Sequence, residues 1–460
     1  MRNILMFCLL LVNLKIISSN SNYDYSDYNG TITNIRILYS QSVSCSISRY
    51  SAVFERSILH ASLSGLEVFK SGGLGDSLLQ ESYLYGINAA ILFVAGGGTI
   101  SGGRIYTSGN GSNALVVTNH GKVGILNTII ETTGESNARG IHASYEGIIN
   151  ADRITIKTKG YSSPAVSSEL ANTEITCFEC ILNTVGEASP LFYSKGKIED
   201  TRSTGNATNS KAVVIEGKNY LSVKGSKLKC GANPISTSDA CGILIHQIKS
   251  DEFNDTEKSI FFSDYSTIEI LSDSVYYSSA PMFYITNTNA VITLEKSKFI
   301  YGSKKFLIAD AGEYGTPGKN GAQVLLKLWE QDIEGDIIVG SSSSLTIELL
   351  NSTIKGTING DKKACKLTII LNSNSNITLT GNSYYTSISN NITDGSNLIN
   401  GSYSWTSYKQ SLGSCSRNNF DDEINDDDIS DFEIFNNSGE KIFNLKLFII
   451  SFFLTIMILN

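Results

Sequence analysis

Cys177-Phe178-Glu179-Cys180 has the spacing of a redox dithiol. Such pairs work at a helix N-terminus, where the helix dipole lowers a thiol pKa. Here the pair lies in a stretch of strand character, and residues three apart on a straight strand face opposite sides. A mutual bond therefore needs a bend, and the motif reads as a structural pair or as two buried thiols. Cys230 and Cys241 flank a Gly-Ala-Asn-Pro-Ile loop and read as a disulfide across it.

Carboxylates offer the other chemistry. A calcium-dependent polysaccharide lyase needs acids stacked on neighbouring turns of chain, with Arg or Lys as base. A glycosidase needs two carboxyl groups about 5–10 Å apart. Aligned by the repeat described below, Glu131 falls on Lys157 and Asn183, Glu179 on Arg153, and Asp152 on Leu126 or Asn127. This comparison finds no acid column. The four histidines, His60, His120, His142 and His246, fall at unrelated phases and make no zinc set. No catalytic, metal-binding or cofactor-binding residue is assigned, and no cofactor is expected. Tyr276, Tyr277, Tyr284 and Tyr301 are the aromatic side chains suited to stacking on sugar rings.

What positions these residues is a repeat. Ile105-Tyr106-Thr107-Ser108-Gly109, Ile130-Glu131-Thr132-Thr133-Gly134, Ile156-Lys157-Thr158-Lys159-Gly160 and Leu182-Asn183-Thr184-Val185-Gly186 share one pattern, with glycines 25, 26 and 26 residues apart. A Ser or Asn follows each glycine by three residues: Ser112, Asn137, Ser163 and Ser189. In a strand the aliphatic residue and the Thr point to one side. The glycine reads as a turn that a Cβ would resist. A unit this short cannot bury its apolar side alone but can when stacked on copies of itself. The repeat predicts an all-β, right-handed parallel β-helix, a pectin-lyase-like solenoid. Ile105, Ile130, Ile156 and Leu182 should stack inside it, with a structural Thr column beside them. A β-sandwich would not explain equal repeat lengths with matching glycines.

The organisation read from the chain is a signal peptide over 1–19, an N-terminal lead or cap over 20–50, the β-helix over 51–405, an acidic stalk over 406–439 and a hydrophobic tail over 440–460. The first segment has a basic start, an apolar run from Ile4 to Ile17 and then small residues. Loops are expected to project at 250–256 and 310–321, and the coils after about 335 to be shorter. In the tail, Leu447 to Leu459 is apolar, and the small residues Asn437-Ser438-Gly439 precede it. This is the layout of a GPI signal with attachment at Asn437; the rival is a single membrane span with Lys446 at its edge. Sequons at Asn29, Asn110, Asn206, Asn254, Asn351, Asn376, Asn391 and Asn400 are glycosylation candidates in a eukaryotic secretory pathway. Net charge is −8, and no Lys/Arg run can track a phosphate backbone, so nucleic acid is excluded as a partner.

Tyr85-Gly86-Ile87-Asn88-Ala89-Ala90, the stretch from Ala212 to Asn219, and Ala280-Pro281-Met282-Phe283-Tyr284-Ile285-Thr286-Asn287-Thr288-Asn289-Ala290-Val291-Ile292-Thr293-Leu294 carry a resemblance. From about Asn88 to Trp405 the chain resembles a large family of cell-surface right-handed β-helix proteins of anaerobic gut microbes, adhesin-like and described as carbohydrate-binding. The resemblance implies contact with cell-wall, plant or host glycans at the outer face of the plasma membrane. It brings no catalytic residue with it. The expectation is a non-enzymatic secreted or cell-surface protein, with a lyase or glycoside hydrolase on the same fold as the alternative.

Overall fold

The computed structural model describes residues 42–46, 52–55, 61–75, 79–232, 240–248, 258–372, 374–390, 399–400 and 402–409. The chain is a parallel β-helix, as the repeat predicts. One coil shows the plan. Ile141–Ser144 lies in an 11-stranded sheet, and Ile148–Asp152 and Thr155–Thr158 lie in two arms of a 22-stranded sheet. The chain then rejoins the first sheet at Val166–Glu169. Each strand of this coil pairs in parallel with its counterpart on the next. Alternation decides what goes inside: along Ile148–Asp152, Ile149 and Ala151 are buried while Asn150 is exposed.

The expected columns form. Ile105 pairs with Ile130, Ile130 with Ile156, and Ile156 with Leu182, and all four are fully buried. Thr107, Thr132, Thr158 and Thr184 follow the same register and point inward. The Thr107 hydroxyl donates to Ser112 O at 2.7 Å and the Thr132 hydroxyl to Ala138 O at 2.6 Å, closing the corner from inside. At the glycines the reason differs from the expected turn. Gly134, Gly160 and Gly186 keep ordinary φ. A Cβ at each would run into the carbonyl oxygen of the glycine one coil earlier: Gly109, Gly134 and Gly160 respectively. Close stacking of backbones, not left-handed geometry, selects glycine there.

Left-handed geometry recurs coil after coil at the corner between the arms of the 22-stranded sheet. Arg153, Glu179, Arg202, Tyr265, Lys296, Glu330 and Asn351 all have φ between 44° and 57°. Such a backbone costs about 1–2 kcal/mol at a non-glycine residue. It is offset by a ladder of side chains at the next position, each accepting a backbone N–H from the coil before. Ser203 Oγ accepts from Cys180 at 3.0 Å, Ser226 from Ser203 at 3.1 Å, Ser266 from Ser226 at 3.1 Å and Ser297 from Ser266 at 3.3 Å. Gln331 takes the next place, then Ser352 and Ser375.

Pairing begins before residue 51, since Ser42–Ser46 runs parallel to Ala61–Lys70. Later coils are shorter, as expected: Ser344 pairs with Lys366, 22 residues on, against 26 between Ile148 and Glu174. The 310–321 loop does not project. It folds back on the 11-stranded sheet, where Tyr314 packs on His246 with ring centroids 4.4 Å apart and Asn320 Nδ2 donates to Gly312 O and Tyr314 O. The expected 250–256 loop, with the segments 1–19 and 410–460, lies outside the described residues.

Candidate functional site

The second arm of the 22-stranded sheet runs unbroken from Arg104–Thr107 to Lys298–Ile300 and there stops. The next strand in that position, Asp332–Glu334, begins a separate four-stranded sheet. The first arm does not break, because Gln323–Trp329 pairs with Asn289–Glu295 along seven residues. The cause is the following corner. The earlier coil spends residues 301–304 before Lys305–Ala309, whereas the later coil passes from Asp332–Glu334 into Asp336–Val339 through Gly335 alone. The shorter path draws the strand out of line. Gln331 meets the wider gap with a longer side chain than the serines of the ladder. Its Oε1 accepts from Ser297 N–H at 2.8 Å, and its Nε2 donates to Ser297 O at 2.7 Å.

The break opens a cleft of about 560 Å³. Phe299 and Tyr301 form its apolar wall, with the buried Phe306 behind them. Its charges are balanced, three lysines (Lys296, Lys298, Lys355) against three acids (Glu330, Asp332, Glu334). Lys296 Nζ lies 3.1 Å from Glu330 and Lys355 Nζ 2.8 Å from Glu334, while the Thr353 hydroxyl hydrogen-bonds Asp332. The hydrogen bond from Lys355 holds the Glu334 carboxyl below its usual range, and burial pushes the Tyr301 phenol up. Tyr301 OH donates to Glu334 O at 2.6 Å. Of the four tyrosines marked in the sequence, Tyr301 lines this cleft. Tyr276 and Tyr277 pack against the core, and Tyr284 is buried in an outer cluster with Val214, Cys241 and Leu244.

A second polar group covers the outer face of the 11-stranded sheet, and sequence alignment missed it. Ser144 pairs with Glu169, and Glu216 with His246. Lys195 stands between the acids, 2.8 Å from Glu169 and 3.2 Å from Glu216, so the two carboxylates lie no more than about 6 Å apart. Tyr193 OH hydrogen-bonds Glu216, and Arg139 Nη1 lies 3.9 Å from Glu169. Acids and an arginine therefore do converge on one face. Yet Arg139 is 6% exposed and Glu169 5%. The set clamps the short helix Leu79–Leu84 onto the sheet. His142 Nε2–H donates to Tyr83 O at 2.6 Å, Ser144 Oγ to Leu84 O at 2.7 Å, and Arg139 lies over the Tyr83 ring, 4.6 Å from its centroid. With that carbonyl on Nε2, Nδ1 is an acceptor facing Arg139 and Ser167. Burial, with Arg139 beside it, drives the His142 pKa well down, so the ring is neutral. The column escaped the sequence reading because the coils that carry it differ in length: Val166 follows Ile141 by 25 residues, but Val213 follows Phe192 by 21.

A third group lies inside the coil. Glu179, at φ 52°, supplies the bend that a Cys177–Cys180 contact needs. Both thiols are buried and hydrogen-bonded to one another, which raises the Cys177 thiol and lowers that of Cys180. Asp200 pairs with Cys177 on the next coil and is fully buried, with the hydroxyls of Ser203 and Ser226 as the polar groups nearest its carboxyl. Burial pushes its pKa from 3.8 up to about 6, moderated by the hydroxyls of Ser203 and Ser226. Lys70, paired with Thr107 at the head of the Thr column, is likewise buried with no hydrogen-bond partner at Nζ, and burial lowers its pKa to about 8. Nothing in the repeat marks either residue.

The expected Cys230–Cys241 bridge is absent. Cys230 is a free thiol within the core of the coil, pushed up to about 12 by burial, while Cys241 lies in the outer cluster with Tyr284. The sheet stands between the two faces, so the loop they flank joins residues that point to opposite sides. Cys365 is disulfide-bonded. Among the sequons, Asn351 is exposed at a left-handed corner, and Asn206 and Asn376 are half-buried. The Asn110 amide is already engaged: Nδ2 donates to Leu74 O, and Oδ1 accepts from the N–H and hydroxyl of Ser136. Asn29, Asn254, Asn391, Asn437 and the Asn400 side chain lie outside the described residues. Among the described residues no cluster of His, Cys, Asp or Glu is arranged to hold a metal ion, and no helix is long and apolar enough to cross a membrane.

No family model, curated protein or solved structure matches this chain.

Proposed function

We propose that the protein is a non-enzymatic, adhesin-like β-helix that binds glycans in the cleft beside Tyr301. The observation that carries the reading is a cleft combining an aromatic wall with polar groups, in which Glu330 and Glu334 each face a lysine and Asp332 a hydroxyl. Aromatic faces and fixed hydrogen-bonding groups are what a sugar ring needs. A carboxylate held ionised by a lysine, as Glu334 is, makes a poor general acid. The reading includes export by the N-terminal segment, attachment near Asn437 through a GPI anchor, and glycosylation at exposed sequons such as Asn351. On this reading the partners are cell-wall, plant or host glycans and the membrane that carries the anchor.

The alternative, a polysaccharide-active enzyme, draws on Glu169 and Glu216 across Lys195. Their separation is close to that of a glycosidase pair. The Leu79–Leu84 helix and the buried Arg139 use the same surface for packing, which favours a structural role. The two readings part in one experiment. The purified chain, offered glucans, mannans and polyuronates, should bind weakly without forming new reducing ends or unsaturated uronate. Sustained product formation that is lost in Glu169→Gln or Glu216→Gln would make it an enzyme.

A further inference from the structure

We infer that the cleft selects a sugar bearing a secondary amide, an N-acetylhexosamine, whose acetamido group completes the ladder broken between Lys298–Ile300 and Asp332–Glu334. This rests on the glycan reading and narrows it. Peptide groups alternate in direction along a strand. Lys298 N–H reaches back to Ser266 O, so the N–H and C=O of Phe299 point forward into the cleft. On the far side, Thr353 N–H donates to Gln331 O and Gly335 N–H to Lys355 O. The peptide groups of Gln331 and Gly335 thus face away from the cleft, and those of Asp332 and Glu334 face into it.

The seam already holds one amide. The Gln331 carboxamide accepts from Ser297 N–H and donates to Ser297 O and, at 2.9 Å, to Asp332 O. It takes the place of a strand's peptide group at that point. At the opposite end the Tyr301 hydroxyl is bonded to Glu334 O. Between these two plugs only Phe299 presents both a donor and an acceptor, and an amide's C=O and N–H match that pair. The gap is too short for a peptide strand, which would have to displace Gln331 and Tyr301 together. The half-buried Phe299 and Tyr301, backed by the fully buried Phe306, supply an apolar wall for a methyl group and the face of a ring. Three lysines against three acids leave no net charge to attract a polyuronate. The volume of about 560 Å³ is that of a small-ligand site.

The test compares N,N′-diacetylchitobiose, its de-acetylated diamine and cellobiose, titrated calorimetrically against the full chain. The ligands share a backbone, so protein folding is not a variable. The N-acetylated disaccharide should bind at least about tenfold tighter than cellobiose, the ratio expected for one well-made amide pairing. It should also slow hydrogen exchange in peptides spanning Phe299 and 332–334. Thr353→Arg, at an exposed position on the cleft rim, should abolish binding. Equal binding of cellobiose would overturn the amide inference and leave the glycan reading standing. Absence of binding by all three sugars would overturn both. Undiminished binding by Thr353→Arg would place the amide site elsewhere and overturn this one. So would tight binding of an extended, capped peptide that displaces the sugar and protects the same segments.

Discussion

Asp200→Asn probes the interior of the coil. The native carboxyl is fully buried, and burial pushes its pKa from 3.8 to about 6. The folded state then binds a proton more tightly than the unfolded state. Its contribution to stability is fully present below pH 3.8, falls as pH rises toward 6, and is gone above that. A shift of just over two units corresponds to about 3 kcal/mol between those limits, at about 1.4 kcal/mol per unit. Asn cannot ionise, so this slope should vanish in the variant. The measurement is urea denaturation followed by far-UV circular dichroism at pH 4, 5, 6 and 7. The variant should gain on the wild type with rising pH, by about 2.4 kcal/mol between pH 4 and 7 if the coils melt together, since part of the effect is already lost at pH 4, and by less if they melt in parts. A constant difference across the series would show that Asp200 does not titrate in this window, and would refute the burial argument.

Three further outcomes follow from the coil's geometry. Gly160→Ala should cost about 1–3 kcal/mol, because the new methyl meets the Gly134 carbonyl; Gly124→Ala, whose Cβ meets only the Thr99 hydroxyl at 4.0 Å, should be tolerated in the same denaturation assay. Ser266→Ala should cost about 1 kcal/mol by leaving the Ser226 N–H unpaired, with Ser266→Thr restoring most of it. Cys177 and Cys230 should resist iodoacetamide in the native protein and react on unfolding, and non-reducing peptide maps should show no Cys230–Cys241 link; rapid native alkylation of Cys230 would contradict its burial.

Much of the coil was legible because stacking repeats its demands. Ile105, Ile130, Ile156 and Leu182 recur since each coil must bury the same inward position, and Gly109, Gly134 and Gly160 recur since each passes under the next. The serine ladder leaves the same kind of signal, in Tyr265-Ser266-Thr267-Ile268, Lys296-Ser297-Lys298-Phe299 and Asn351-Ser352-Thr353-Ile354, at spacings too uneven to align with the glycine repeat. Where coil length changes, repetition loses its power. Glu169 and Glu216 meet across Lys195 only after a 21-residue coil shifts the register. Cys230 and Cys241, near in sequence, are kept apart by the sheet between them. The cleft depends on a shortened corner at Gly335, which deflects one strand by withholding chain from it. A repeat states what every coil has in common; a site arises where one coil departs from its neighbours, and only the packed structure fixes the direction of that departure.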